Sequence, residues 1–127
     1  MRAVVVAASV CGLVLVASGA IGAHAVPVEA AGRWDGALLY GFVHTLAALG
    51  AALLPFRGRL QSASGWAFIA GVVLFSGVQI AKMLSASEGV SPLDALTMLV
   101  PVGGLAFMSG WVLLGLSALL SRKAGQD

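Results

Sequence analysis

Gly19-Ala20-Ile21-Gly22-Ala23-His24-Ala25-Val26-Pro27 closes the first apolar stretch, and its reading decides between three membrane spans and four. Behind it lie a single Arg and an unbroken apolar run, and Ala23-His24-Ala25 has the small-x-small form of a signal-peptidase site. Read that way, the first span is a signal that is removed. Read the other way, the run from Ala3 to about Ala23 is a retained helix that carries His24 at its outer end. Working outward from this stretch favours the second reading.

The whole chain has the composition of a membrane protein. It has 127 residues, of which 60% are hydrophobic and 9% charged. A soluble domain carries about 25% charged residues, so this apolar excess is expected to face lipid. Seven basic and five acidic side chains leave a net charge of +2. No basic cluster exceeds Arg122-Lys123 and no aromatics interleave with it, which excludes a nucleic-acid partner. Cys11 is alone, so neither an intrachain disulfide nor a cysteine metal cage is available.

A membrane helix needs about 20 mostly apolar residues. Four runs meet that length, at about 3–23, 36–56, 65–84 and 93–120, in one membrane domain covering 1–127. The links are Val26 to Asp35, the polar Arg57-Gly58-Arg59-Leu60-Gln61-Ser62, and Ser85 to Pro92. The expected fold is all-α: an integral-membrane, antiparallel up-down four-helix bundle, its fourth helix kinked at Pro101. With four spans, Arg2, Arg57, Arg59, Arg122 and Lys123 share one side, while Glu29, Arg33, Asp35, Glu88 and Asp94 share the other. The positive-inside rule then places both termini in the cytoplasm of a cell (inner or plasma) membrane.

Small residues recur four apart, as in Ala8/Gly12, Ser18/Gly22, Ala67/Gly71 and Ala106/Gly110. In lipid such spacing lets helix backbones approach closely. Gly12, Gly19, Gly22, Gly71, Gly77, Gly103, Gly104 and Gly110 are therefore expected packing positions. The same faces suit a membrane-protein partner or a homo-oligomer besides the lipid bilayer. Trp34, Trp66 and Trp111 read as interfacial or packing aromatics: Trp34 and Trp66 stand at span ends, as interfacial aromatics do, whereas Trp111 is deeper and is expected to pack.

The polar residues inside the spans share the outer half of the membrane. At 1.5 Å per residue, His44 lies about 12 Å deep in the second span, and Pro101 lies at a similar depth in the fourth. Gln79 and Lys82 fall in the outer half of the third, and His24 ends the first. Pro101, followed by Val102-Gly103-Gly104, is expected to free a carbonyl near Thr97, with Thr97, His44 or Gln79 as its partner. His24, His44, Ser76, Gln79, Lys82, Thr97 and Pro101 thus form the candidate polar pocket.

Each residue also has a plainer role. His44 donates a single hydrogen bond to a backbone carbonyl, or else serves as a ligand or proton carrier. His24 caps a helix end, where a cation favours the dipole. Lys82 snorkels to headgroups, or pairs with Glu88 or Asp94. Ser85-x-x-Glu88 has the form of a capping box. His24 and His44 are mismatched in level for a bis-histidine haem, and a zinc site lacks ligands. No cofactor, metal or catalytic residue is expected, and an enzyme is disfavoured. Two functional classes stand ahead of a redox subunit: a non-enzymatic accessory or structural membrane protein, and a binding or transport protein using the outer-half pocket around His44 and Pro101.

Four signatures, one per span, resemble a known group: "GAIGAHAV" at 19–26, "LYGFVHTLAALG" at 39–50, "VLFSG" at 73–77 and "PVGGLAFMSGW" at 101–111. Together they are similar to the domain-of-unknown-function 423 family, small bacterial membrane proteins related to the eukaryotic transmembrane protein 256. The family pattern falls on Gly19, Gly22, His24, Tyr40, His44, Phe75, Ser76, Gly77, Pro101, Gly103, Gly104, Gly110 and Trp111. The resemblance implies four helices with the first span retained, and it brings no activity, substrate or cofactor. The chain departs from the pattern after Gly77, where Val78-Gln79-Ile80-Ala81-Lys82 replaces an apolar continuation, so Gln79 and Lys82 are particular to this protein.

Overall fold

A computed structural model of the chain describes residues 1–55, 58–86 and 90–121. Four helices in it are long and apolar enough to cross a membrane: α1 (Arg2–Ala25), α2 (Val28–Leu53), α3 (Arg59–Ser85) and α4 (Asp94–Leu120). Arg57, Glu88 and Arg122-Lys123, which entered the charge argument, lie outside the described residues. The protein is an all-α, four-helix, membrane-spanning bundle.

Only Val26 and Pro27 separate α1 from α2. Val26 is extended, as a residue before proline is biased to be, and Pro27 opens α2 with Glu29 in the first turn. The helix therefore begins at Val28, eight residues before the apolar run at Gly36. Arg33, Trp34 and Asp35, expected in a loop, are helical. Trp34 is only 3% exposed, so of its two expected roles it packs inside the bundle. Its indole lies on Gly22 of α1, where an added Cβ would fall 2.0 Å from Nε1.

The third helix is not uniform. Val72–Gly77 is wound as a π-helix, and Val78 N–H bonds to the Val73 carbonyl, five residues back. The fourth begins with a 3-10 segment, Asp94–Met98, and becomes α-helical at Leu99. Pro101 is thus the third residue of the α-helical part, where a missing N–H takes no bond from the regular helix. The irregular backbone lies on the N-terminal side of the proline. Ser85 ends α3, and its hydroxyl donates to the Lys82 carbonyl at 3.2 Å; Glu88, the other half of the expected capping box, lies outside the described residues.

The bundle is apolar outside and partly polar within. Leu13, Val16, Leu46, Leu105, Val112 and Leu119 are exposed, while Ser18, His44, Thr45, Gln61, Ser64, Ser76 and Ser117 are buried among Phe68, Phe107, Leu15 and Ala48. Backbone proximity at glycine creates this interior. On the α3–α4 seam a Cβ on Gly71 would meet Phe107 at 2.3 Å, one on Gly110 would meet Phe68 at 2.6 Å, and one on Gly103 would meet the Phe75 backbone nitrogen at 2.4 Å. Gly12, Gly19 and Gly104 make only ordinary contacts of 3.7–3.9 Å, and Gly77 meets nothing nearer than the Val72 carbonyl of its own helix. Two close approaches escaped the spacing argument: Gly41 against Leu15, and Gly65 against Val4.

Candidate functional site

The seven residues of the expected pocket separate into two clusters and two outliers. The first cluster is a stack around His44. Its ring lies 3.6 Å from that of Phe107, nearly parallel, with Tyr40 and Phe68 at 6.0 and 5.8 Å. His44 Nδ1 is 2.7 Å from the Tyr40 carbonyl, which only accepts, so Nδ1 carries the proton. Trp111 Nε1–H only donates, and it reaches Nε2 at 3.2 Å, so Nε2 is the acceptor. This arrangement defines the neutral Nδ1–H tautomer, with both ring nitrogens used. The sequence motifs contained both residues, but depth alone did not pair them.

The second cluster lies at the end of α3 and the start of α4. Lys82 Nζ is 3.0 Å from Asp94 Oδ1 and also donates to Thr97 Oγ1. Asp94 is thus one of the two expected partners for Lys82; the other, Glu88, lies outside the described residues. The Asp94 carboxylate accepts from Ser91 N–H at 3.2 Å, and the Ser91 hydroxyl accepts from Leu93 N–H at 3.1 Å. These bonds tie the loop's return into α4. Gln79, Lys82, Asp94, Thr97 and Arg33 line a cavity of about 230 Å³, with Met83 and Val100 as apolar wall.

Gln79, Lys82 and Thr97 from the expected set therefore reach this cavity, while His24, His44, Ser76 and Pro101 lie outside its lining. His24 is exposed on the last turn of α1. Ser76 is fully buried in the π-helical segment, and neither its hydroxyl nor that of Thr45 has a partner among the described residues. The single freed carbonyl expected near Thr97 gives way to three separate bonds. Thr97 Oγ1 donates to the Asp94 carbonyl, Gln79 Nε2 to that of Phe75, and His44 to that of Tyr40.

Two interior polar residues of the opposite end were not foreseen. Gln61 is 1% exposed, and its amide donates at 2.6 Å to the carbonyls of both Ala51 and Leu54, closing the C-terminus of α2. Ser64 donates to the Gly110 carbonyl across the α3–α4 seam at 2.9 Å. Gln61 stood in what read as a polar link, which hid its role. Arg33 was likewise hidden by the loop reading, although Pro27 followed by Glu29 is a helix-start signal.

These features define a multi-span membrane protein in which His44, Gln61 and Ser64 turn their interior polar groups to bonds within the bundle. Residues 18–104 match the family model described as "Protein of unknown function (DUF423)". The chain belongs to the DUF423 family, and the relatives it matches below carry the name UPF0382. It is 35% identical to the UPF0382 inner membrane protein YgdD of Escherichia coli K12, covering 98% of this chain and 95% of that protein. It is 31% identical to the UPF0382 membrane protein YwdK of Bacillus subtilis, covering 94% and 98% respectively. The UPF0382 membrane protein of Haemophilus influenzae is 35% identical over 88% of this chain and 90% of its own. No solved structure matches the chain.

Proposed function

We propose that the protein is a non-enzymatic accessory or structural component of the inner or plasma membrane, packed against a larger membrane partner or a second copy. The carrying observation is the hydrogen bonding of His44. Both ring nitrogens are engaged inside an aromatic stack, so its most functional-looking side chain serves the bundle. Outward-facing glycines support a partner. Among the described residues a Cβ at Gly32 or Gly36 would meet nothing within 4 Å, so this pair on α2 is spaced for close helix approach yet unused by them.

The topology that goes with this reading is an antiparallel up-down bundle with both termini cytoplasmic and the fourth helix kinked at Pro101. Descending register supports it: Phe68 with Gly110, Gly71 with Phe107, Phe75 with Gly103. The two-residue α1–α2 link and the 3-10 winding before Pro101 support it further. Orientation rests on the basic residues of the sequence. The four signatures also support kinship with the eukaryotic transmembrane protein 256.

Affinity purification of the tagged chain from native membranes, followed by mass spectrometry, tests the reading. A stoichiometric membrane partner or a homo-oligomer is expected, and it should be lost in Gly36→Leu while the helical content is kept. A wild-type chain recovered alone and monomeric would overturn it.

A further inference from the structure

We propose that the cavity lined by α2, α3 and α4 binds a phosphate-bearing anion, with Arg33 as the recognising group and the Lys82–Asp94 pair as an internal competitor. Among the described residues, two cations and one carboxylate face this space. The carboxylate is already engaged, since Asp94 Oδ1 holds Lys82 Nζ at 3.0 Å and its Oδ2 accepts from Ser91 N–H. Arg33 makes neither an ion pair nor a side-chain hydrogen bond among the described residues, and its planar fork of five donors matches phosphate oxygens. Lys82, only partly covered, adds a second positive charge once an incoming anion competes with Asp94.

Size and level narrow the ligand. The volume of about 230 Å³ is below the roughly 300–1,000 Å³ of pockets for drug-sized molecules, so the site suits a single headgroup-sized anion. Arg33 lies within two turns of the start of α2, Lys82 in the last turn of α3, and Asp94 opens α4. The cavity therefore stands at a span end, at the height of lipid headgroups, with Met83 and Val100 offering apolar surface beside the charges. A phospholipid headgroup and free inorganic phosphate share the required chemistry. The site is independent of the accessory reading, since it needs no protein partner.

The test uses the full chain in nanodiscs of phosphatidylcholine, with phosphatidylglycerol included in one arm and inorganic phosphate titrated in the other. Thermal unfolding and native mass spectrometry report stabilisation and retained lipid. One of the two anions is expected to stabilise the protein, and the responding arm names the source. Arg33→Gln should weaken that binding about tenfold or more, as expected for losing one charged hydrogen-bonding partner, with helical content and tryptophan emission in phosphatidylcholine alone unchanged. Asp94→Asn should tighten binding by releasing Lys82. A wild-type protein indifferent to both anions, an Arg33→Gln variant that binds as wild type, or an Asp94→Asn variant that binds more weakly would each overturn the proposal, the last by indicating a cation site.

Discussion

Trp111 of α4 donates its indole N–H to His44 Nε2 of α2 at 3.2 Å, and His44 passes the direction on by donating Nδ1–H to the Tyr40 carbonyl at 2.7 Å. One side of the indole is thereby held against the bundle although the residue is half exposed. The pair joins two helices at a level where lipid offers no competing hydrogen bonds. Trp111→Phe is expected to destabilise the protein by about 1 kcal/mol, and His44→Ala by about 3 kcal/mol, because the latter also empties the space on Phe107. A double-mutant cycle followed by thermal unfolding in detergent should show coupling of about 1 kcal/mol. Strictly additive effects would show that the bond contributes nothing.

Glycines that look alike in the sequence should behave in opposite ways. Gly103→Ala drives a methyl to 2.4 Å from the Phe75 backbone nitrogen, where no flexible side chain can yield. It is expected to lose about 1–3 kcal/mol. Gly50→Ala meets open space and is expected to gain up to about 1 kcal/mol from helix propensity. Midpoints of unfolding for the two variants should move in opposite directions.

Gln61→Leu keeps the size of a fully buried side chain but abandons the Ala51 and Leu54 carbonyls. The expected loss is about 1–3 kcal/mol. Gln61→Glu should be worse, since a carboxylate would face two carbonyl oxygens at a helix C-terminus. Chemical unfolding of both variants checks the order.

The Lys82–Asp94 bridge should contribute little to stability, since its side chains are 21% and 54% exposed. Lys82→Met is expected to change unfolding free energy by less than about 1 kcal/mol. A loss of several kcal/mol would mean that the pair is a structural clamp.

The first span is expected to remain in the mature protein. It supplies Val4, Ala8, Leu15, Ser18 and Gly22 to the buried interior, and its removal would uncover Trp34 and Gly41. Intact-mass measurement of protein purified from membranes checks this, and a chain beginning at Val26 would contradict it.

Much of this structure is visible in the residue order. The four apolar runs, small residues at the close approaches of Gly22, Gly71 and Gly110, and the shared membrane level of Gln79, Lys82 and Thr97 follow from composition and spacing, whereas the same spacing also marked Gly12, which makes only an ordinary contact. The π-helical turn at Val72–Gly77 does not, since nothing in "VVLFSG" distinguishes it from ordinary helix. Nor does the division of the expected pocket, because depth places a residue along a helix and leaves its rotation open. At 100° per residue, a one-residue change in winding redirects a side chain to another neighbour.

The sequence by itself determined that this is a multi-span membrane protein with polar groups at defined depths, because span length is fixed by the thickness of the hydrocarbon core. The tertiary structure decided which polar groups meet. It sent His44 to Trp111 and Phe107, Lys82 to Asp94, and Gln61 to the end of α2. The physical reason is that these contacts depend on the azimuth and closeness of each helix. Those were set by aromatic rings seated on glycines of neighbouring helices, a relation between residues far apart in the chain.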